Sequence, residues 1–355
     1  MDWWALPGPA AFFEGVSEAL RVGDNVVVGA PTTAVNSIAS ILKEHLPDGL
    51  QPTLSLTPSG QLPIDDIFAE LEIAYDKPPS RTAASLIAAL HGHRIVLVRS
   101  VEMPSWPAWA RFLDDYSNAC RSVGVFDRTQ FLVLASGVSR NRLPSRAPAL
   151  RSLIWDGHIG EADVFSYVTQ SLRLASGRLD AKGKLLARIV MRLALWDFEL
   201  ADRLLKLEWH ELFDPVRAIL AVDAGEETGR PSEACWEAGG IADFDGTRFE
   251  HALVLLKSGK AEAELSLRLW AAQAAELLPA LELKRRQLAQ RMKSTRLLPA
   301  NLGDLDDLEF GELLTLARQH RLPAEIVRLA DKYRRLRNRL AHLEPLTPDQ
   351  ALELL

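Results

Sequence analysis

The sequence predicts a mixed fold: an α/β half built on a doubly wound, mainly parallel sheet, followed by an all-helical half. Three observations carry this. Short, continuously apolar runs (Asn25-Val26-Val27-Val28-Gly29, Arg94-Ile95-Val96-Leu97-Val98 and Phe131-Leu132-Val133-Leu134-Ala135) alternate with helical periodicity up to residue 155. Strands of that kind are buried on both faces, as in a parallel sheet covered by helices. Beyond Gly160 the strand signals cease and apolar residues recur at helical spacing. At 355 residues the chain is also long enough for more than one core.

Taken in order, residues 10–21 carry apolar side chains at helical spacing, and Gly23-Asp24 stops that helix before the strand at 25–29. A helix is expected at 33–46, a strand at 52–57, helices at 64–75 and 82–90, and a strand at 94–98. A long helix at 105–122, a strand at 131–135 and another at 150–155 complete one doubly wound domain. Residues 161–174, 183–205 and 211–222 read as helices. The stretch 225–247, rich in Gly, Glu and Asp around Pro231, reads as a loop or connector. Helices follow at 248–257 and 261–293, the latter with apolar Leu265, Leu267, Leu269, Trp270, Leu277, Leu278, Leu281 and Leu288, of which Trp270, Leu277 and Leu281 lie at bundle-core spacing. After a loop around 299–303 come helices at 308–319 and 324–343; Pro345 ends the second, and Pro348 starts a short terminal helix. The expected domains are 1–160, 161–247 and 248–355.

Composition narrows the function classes. A net charge of −6 offers no global attraction for nucleic acid or anionic membrane, so such binding needs a local patch. Cys120 and Cys235 are too few for a disulfide framework or a multi-cysteine metal site. His91, His93 and Glu102 flank a strand start without a fourth ligand, and no metal or cofactor is expected. Met1-Asp2-Trp3-Trp4 lacks the basic start of a signal peptide, and nothing approaches 18 continuous apolar residues. The expectation is a cytoplasmic protein with no membrane partner.

Strand, turn and helix at 25–46 are the setting of a phosphate-binding loop, which reads G-x-x-x-x-G-K-[ST]. The aligned stretch here is Gly29-Ala30-Pro31-Thr32-Thr33-Ala34-Val35-Asn36. Only Gly29 is kept: Ala34 replaces the second glycine, Val35 the lysine and Asn36 the magnesium hydroxyl. The strand at 94–98 runs into Arg99-Ser100, where an acidic residue would orient the metal. Strand order and helix placement nonetheless resemble the AAA+/STAND group of P-loop ATPases, with 161–222 matching a helical lid. The resemblance implies a degenerate NTPase fold that has lost ATP hydrolysis, because lysine and carboxylate supply most of the charge stabilisation of phosphoryl transfer. A different doubly wound fold that never bound nucleotide is the alternative. Arg140, Arg142 and Arg146 follow the 131–135 strand, where sensor or finger arginines would sit, or a solvated loop.

Candidate chemistry lies near the end of the chain. Arg337-Asn338-Arg339-Leu340-Ala341-His342 resembles the R-x(4–6)-H signature of HEPN domains. These are small helical bundles, frequently dimeric, and many are metal-independent ribonucleases of bacterial conflict systems. The residue types suit that chemistry: His342 for proton transfer near neutral pH, Arg337 to clamp phosphate, and Asn338 one turn before His342 on the same helix face. Two basic segments lie in this half: Lys284, Arg285, Arg286, Arg291, Lys293 and Arg296, then Arg328, Lys332, Arg334, Arg335, Arg337 and Arg339. Lys284, Arg285, Arg291, Arg334 and Arg335 are the candidate RNA-binding residues, against a solvated face with i,i+4 pairing as the plain alternative.

The expected function is therefore a component of a conflict or defence system. A pseudo-NTPase half would sense or assemble, and a HEPN-like half would act on RNA, as a homodimer through the C-terminal bundle. The alternative is a non-catalytic adaptor that binds a protein partner, such as a neighbouring NTPase or effector.

Overall fold

The structure is a computed structural model that describes residues 2–60, 62–71, 81–90, 94–145, 147–223, 230–231, 233–295, 297–299 and 304–355. His91, His93, Arg146 and Arg296 lie outside the described residues. The chain forms two compact units: residues 1–163 with 226–254, and residues 164–225 with 255–355. The connector expected at 225–247 thus belongs largely to the sheet unit, and the expected lid helices belong to the same unit as the C-terminal bundle.

The sheet unit opens with α1 (Pro7–Arg21), which starts earlier than its periodicity implied. Proline is tolerated in a first helical turn, where the missing N–H has no intrahelical partner. There follow β1 (Asn25–Ala30), α2 (Val35–His45), β2 (Leu54–Leu56), α3 (Pro63–Glu70), α4 (Ala83–Ala89), β3 (Arg94–Glu102), α5 (Trp106–Ala119), β4 (Thr129–Ser136) and β5 (Leu150–Ile154). The five strands make one sheet in the order β2-β3-β4-β1-β5, every pairing parallel. β1 and β4 are wholly buried, which explains their continuous apolar sequence.

Side chains alternate between the two faces of this sheet. Val27, Val96, Val98, Phe131 and Val133 share one cluster with Ile67, Leu86, Trp109, Leu113 and Tyr116 of α3, α4 and α5. Val26 and Val28 therefore face the opposite side, and α2, which meets β3 and β4, packs there with buried Ile38 and Leu42. At the amino end of the sheet, buried Asn25 ties three elements together. Its amide donates to Ser117 Oγ at 3.3 Å and to the Ala149 carbonyl at 2.9 Å, and its oxygen accepts from Phe131 N at 2.9 Å.

The sheet unit also contains a feature absent from the sequence expectation, an antiparallel hairpin of β6 (Ile241–Phe244) and β7 (Thr247–Glu250). Residues 247–250 are strand, not the start of a helix. Asp245 and Gly246 turn it, with φ of 52° and 78°, as a two-residue primed hairpin turn requires.

The other unit is helical: α6 (Glu161–Ser176, most of it here), α7 (Ala181–Ala194), α8 (Phe198–Leu204), α9 (Pro215–Val222), α10 (Ala252–Ser258, its second half), α11 (Ala261–Ser294), α12 (Phe310–Gln319), α13 (Ala324–Ala341) and α14 (Pro348–Leu352). The single helix expected at 183–205 is two. Leu195 takes a left-handed φ of 54° and Asp197 caps α8 through Leu200 N at 2.9 Å, which breaks the run. The 34-residue α11 is the spine, packed by α7, α9, α12 and α13. Buried Gln273 on α11 holds the chain before α14, donating to the Leu346 carbonyl at 3.0 Å and accepting from Leu346 N at 2.6 Å. Among the described residues, no helix is long and apolar enough to cross a membrane.

Candidate functional site

In the turn between β1 and α2, the amides of Thr32, Ala34 and Val35 are all engaged by backbone carbonyls. Ala34 and Val35 N–H both donate to the Pro31 carbonyl, at 3.0 and 3.2 Å. Thr32 N–H donates to the carbonyl of Glu237 at 2.9 Å. Val35, at the lysine position, is 2 % exposed and packs into the core as the first residue of α2. Ala34 is the N-cap without a side-chain hydrogen bond, and Asn36 is exposed. Gly29 is packed closely by Leu143: a β-carbon there would stand 2.5 Å from Leu143 Cδ1, so the leucine would have to shift.

The segment that reaches this turn comes from the connector. Gly239, with φ of 73°, lies directly on Thr33, and any side chain there would overlap Thr33 Oγ1. β6 and β7 are anchored at the end of β5. Asp243 N–H donates to Asp156 Oδ1 at 2.9 Å, Arg248 Nη1 meets Asp156 Oδ2 at 2.5 Å, and Arg140 pairs with the same carboxylate oxygen. The Asp156 side chain is only 3 % exposed, so two guanidiniums neutralise one buried carboxylate. Arg140 also lies over the Trp236 ring, 5.1 Å from its centroid. Burial, then the charge of Arg248, holds Arg140 below the usual arginine range. The sequence marked Arg140 as a finger candidate; the fold uses it to fix a neighbouring segment. Arg99 sits in a bulge of β3 between Val98 and Val101, and exposed Glu102 pairs in register with Ser136. Among the described residues, no group of three or more His, Cys, Asp or Glu side chains is placed to hold a metal ion.

In the helical unit, His342 is not in the last turn of α13 but is its C-cap. The helix ends in a Schellman turn rather than at Pro345: Glu344 N–H reaches the Arg339 carbonyl at 2.9 Å and Leu343 N–H the Leu340 carbonyl at 3.3 Å. Leu343 takes the left-handed φ of 62° that glycine usually occupies. The indole of Trp270 also donates to the Leu340 carbonyl, at 2.6 Å, adding a second hydrogen bond on that oxygen. His342 is exposed and Asn338 half-buried, about 40° apart around the helix. Arg337 lies about 140° from His342 by the same geometry, and its guanidinium is 3.8 Å from Glu309. The structure therefore brings Asn338 and His342 to one face and leaves Arg337 on another.

The basic segments are interleaved with carboxylates. Arg285 is buried, forks onto Glu282 at 2.9 and 2.7 Å and donates to the Leu308 carbonyl at 2.8 Å. It is not available as a surface cation, because its donors are spent joining α11 to the segment before α12. Arg291 pairs with Glu325 at 2.8 Å, and Arg334 and Arg335 share Asp331 at 3.1 and 2.9 Å. Lys284 is half-buried.

Neither the family models nor the curated proteins include a match to this chain. Among solved structures, it is similar to a mutant of Thermotoga maritima RuvB, with 12 % identity over 72 % of this chain and 94 % of that one and a TM-score of 0.30. It is also similar to a signal-transduction ATPase with numerous domains (STAND) carrying a tetratricopeptide-repeat sensor, from Pyrococcus horikoshii. There the identity is 10 % and the TM-score 0.26, and the chain spans 57 % of that protein while 96 % of its own length is covered. Likenesses at this level establish no family.

Proposed function

We propose that the chain is a non-hydrolysing scaffold: the sheet unit is a P-loop-type module closed on itself, which acts by binding a protein partner and not by turning over nucleotide. The observation that carries this is the Thr32 N–H to Glu237 carbonyl bond, with Gly239 seated on Thr33. A phosphate loop works by pointing free amides at an anion, and here residues 233–240 take that place. The parallel order β2-β3-β4-β1-β5 supports the P-loop-like reading, and Val35 and Arg99 supply neither the cation nor the metal-orienting carboxylate. Titration calorimetry of the full chain with ATP and Mg²⁺ tests it. No binding at micromolar concentrations is expected, and a micromolar Kd would overturn the reading.

A second reading concerns the helical unit, as the effector of a conflict or defence system: a HEPN-like, metal-independent endoribonuclease. It is favoured by one observation, the exposed His342 fixed at a helix end by the left-handed Leu343, with Asn338 on the same face. Arg337 faces elsewhere, so a site using both Arg337 and His342 would be completed across two copies of the chain. Exposed ion pairs such as Arg291–Glu325 and Arg335–Asp331 are weak, and RNA phosphates would compete for those cations. Sedimentation of the full chain should then show a dimer.

A further inference from the structure

At about 100° per residue, Arg328, Lys332, Arg335 and Arg339 of α13 fall within about 60° of one another around the helix. They make one straight row about 17 Å long, in steps of about 5–6 Å. The row lies on the side away from buried Ile326, Ala330 and Leu340. Exposed His342 stands at its carboxyl end, about 60° round from Arg339. Arg334 and Arg337 project from other faces of the same helix, so the row is narrower than the basic run of the sequence. Arg328 is exposed and, among the described residues, has no ion-pair partner. Lys332 meets Glu353 at 2.9 Å, Arg335 meets Asp331 at 2.9 Å, and Arg339 approaches Glu344 at 3.6 Å. Glu353 and Glu344 are 49 % and 61 % exposed, so water screens those pairs and a phosphate can displace them. Asp331 keeps Arg334 as a partner if Arg335 turns away. Arg339 also donates to the Pro345 carbonyl at 2.8 Å, which fixes its guanidinium and leaves it donors to spare.

We propose that a single polynucleotide strand lies along α13 with successive phosphates on Arg328, Lys332, Arg335 and Arg339, so that the row delivers the strand's backbone to His342. Evenly stepped cations on one line suit a polymer that carries one charge per monomer. A row one side chain wide matches one sugar–phosphate backbone, whereas a duplex offers two and an anionic membrane offers a plane. This rests on the reading of the helical unit as acting on RNA and deepens it. The strand is single, the phosphate nearest His342 is held by Arg339, and Arg334 takes no part.

Salt-dependent binding tests this on the full chain carrying His342→Ala, so that no strand is cut. The probe is a fluorescein-labelled oligouridylate of about 20 nucleotides, longer than the row needs. Its anisotropy is titrated in EDTA from about 50 to 200 mM KCl. Each phosphate contact on a single strand adds about −0.7 to the slope of log K against log salt, so four predict a slope of about −3. Arg328→Gln, Lys332→Gln and Arg335→Gln should each flatten that slope by about 0.7 and weaken binding several-fold. Arg328→Lys should keep the slope, which counts charges, and Arg121→Gln, an exposed site on the sheet unit, should change nothing. Duplex RNA of the same length should bind more weakly than the single strand.

A slope that the row substitutions leave unchanged overturns the proposal, as does tighter binding of the duplex. Preferential binding of polyglutamate or of phosphatidylserine vesicles would assign the row to a protein or a membrane and equally defeat it. Should another glutamine variant unfold, Arg328→Gln carries the test alone, since Arg328 has no ion pair to lose. Row-dependent binding by a parent chain that never cuts RNA would leave this proposal standing and remove the ribonuclease reading. Cutting that is indifferent to the row would do the reverse.

Discussion

Arg140 and Arg248 converge on one oxygen of Asp156, a carboxylate whose side chain is 3 % exposed although both arginines are nearly half exposed. The pairing joins the turn after β4, the end of β5 and β7. It is the charged fastening that keeps the hairpin, and with it residues 233–240, over the turn between β1 and α2.

Asp156→Ala should cost on the order of 2–3 kcal/mol of stability. That is less than a wholly buried pair would lose, because water screens the two arginines. Denaturant unfolding measures the loss, and hydrogen exchange should localise it to residues 233–250. Uniform exchange across that segment in parent and variant would show that the ion pairs do not hold it.

Val35→Lys, which puts a cation where the proposed phosphate-loop alignment expects one, should not create a nucleotide site. Val35 is 2 % exposed, so an ammonium there must be desolvated or displace its neighbours. A loss of about 2–4 kcal/mol is expected, typical of a charge forced into a packed core. ATP calorimetry on this variant should be as flat as on the parent, because the amides of Thr32, Ala34 and Val35 remain engaged.

In the helical unit, the hydrogen bonds from Arg285 hold the Glu282 carboxyl down at about 2. Its folded value is depressed, so its stabilising effect is complete above the ordinary 4.5 and is lost as pH falls from there toward about 2. Arg285→Ala should remove most of that pH dependence and lower the melting temperature. Arg286→Ala, whose parent side chain is 64 % exposed, should weaken both far less, although Arg286 also donates to Glu282. Equal effects from the two substitutions would show that burial of Arg285 does not matter.

If the helical unit cuts RNA, cleavage should persist in EDTA, and His342→Ala should abolish it while circular dichroism stays native. Arg337→Lys should be severely impaired, since an ammonium does not reproduce the planar guanidinium fork. Mixing inactive Arg337→Ala and His342→Ala chains should recover part of the activity if two copies share the site. A well-folded His342→Ala chain that cuts as fast as the parent would remove this residue from the chemistry.

The sequence by itself determined the parallel sheet and the helical half. Strands buried on both faces must be continuously apolar, and a helix packed on one side must repeat its apolar residues at helical spacing, so both patterns are local and legible. That Val35 and Arg99 offer neither a lysine nor a metal-orienting carboxylate was equally visible, because residue identity needs no fold. The hairpin at 241–250 was signalled only by Asp245-Gly246 between short strands of mixed polarity, a pattern overshadowed by the surrounding Gly, Glu and Asp. Only the tertiary structure decided what covers the turn between β1 and α2. Thr32 and Glu237 meet through backbone atoms, and a backbone hydrogen bond between distant segments leaves no mark in residue type. The same holds for Arg285, which as a letter in a basic run is indistinguishable from Arg286. Its burial depends on the Leu308 carbonyl being brought to it, and only the folded chain does that.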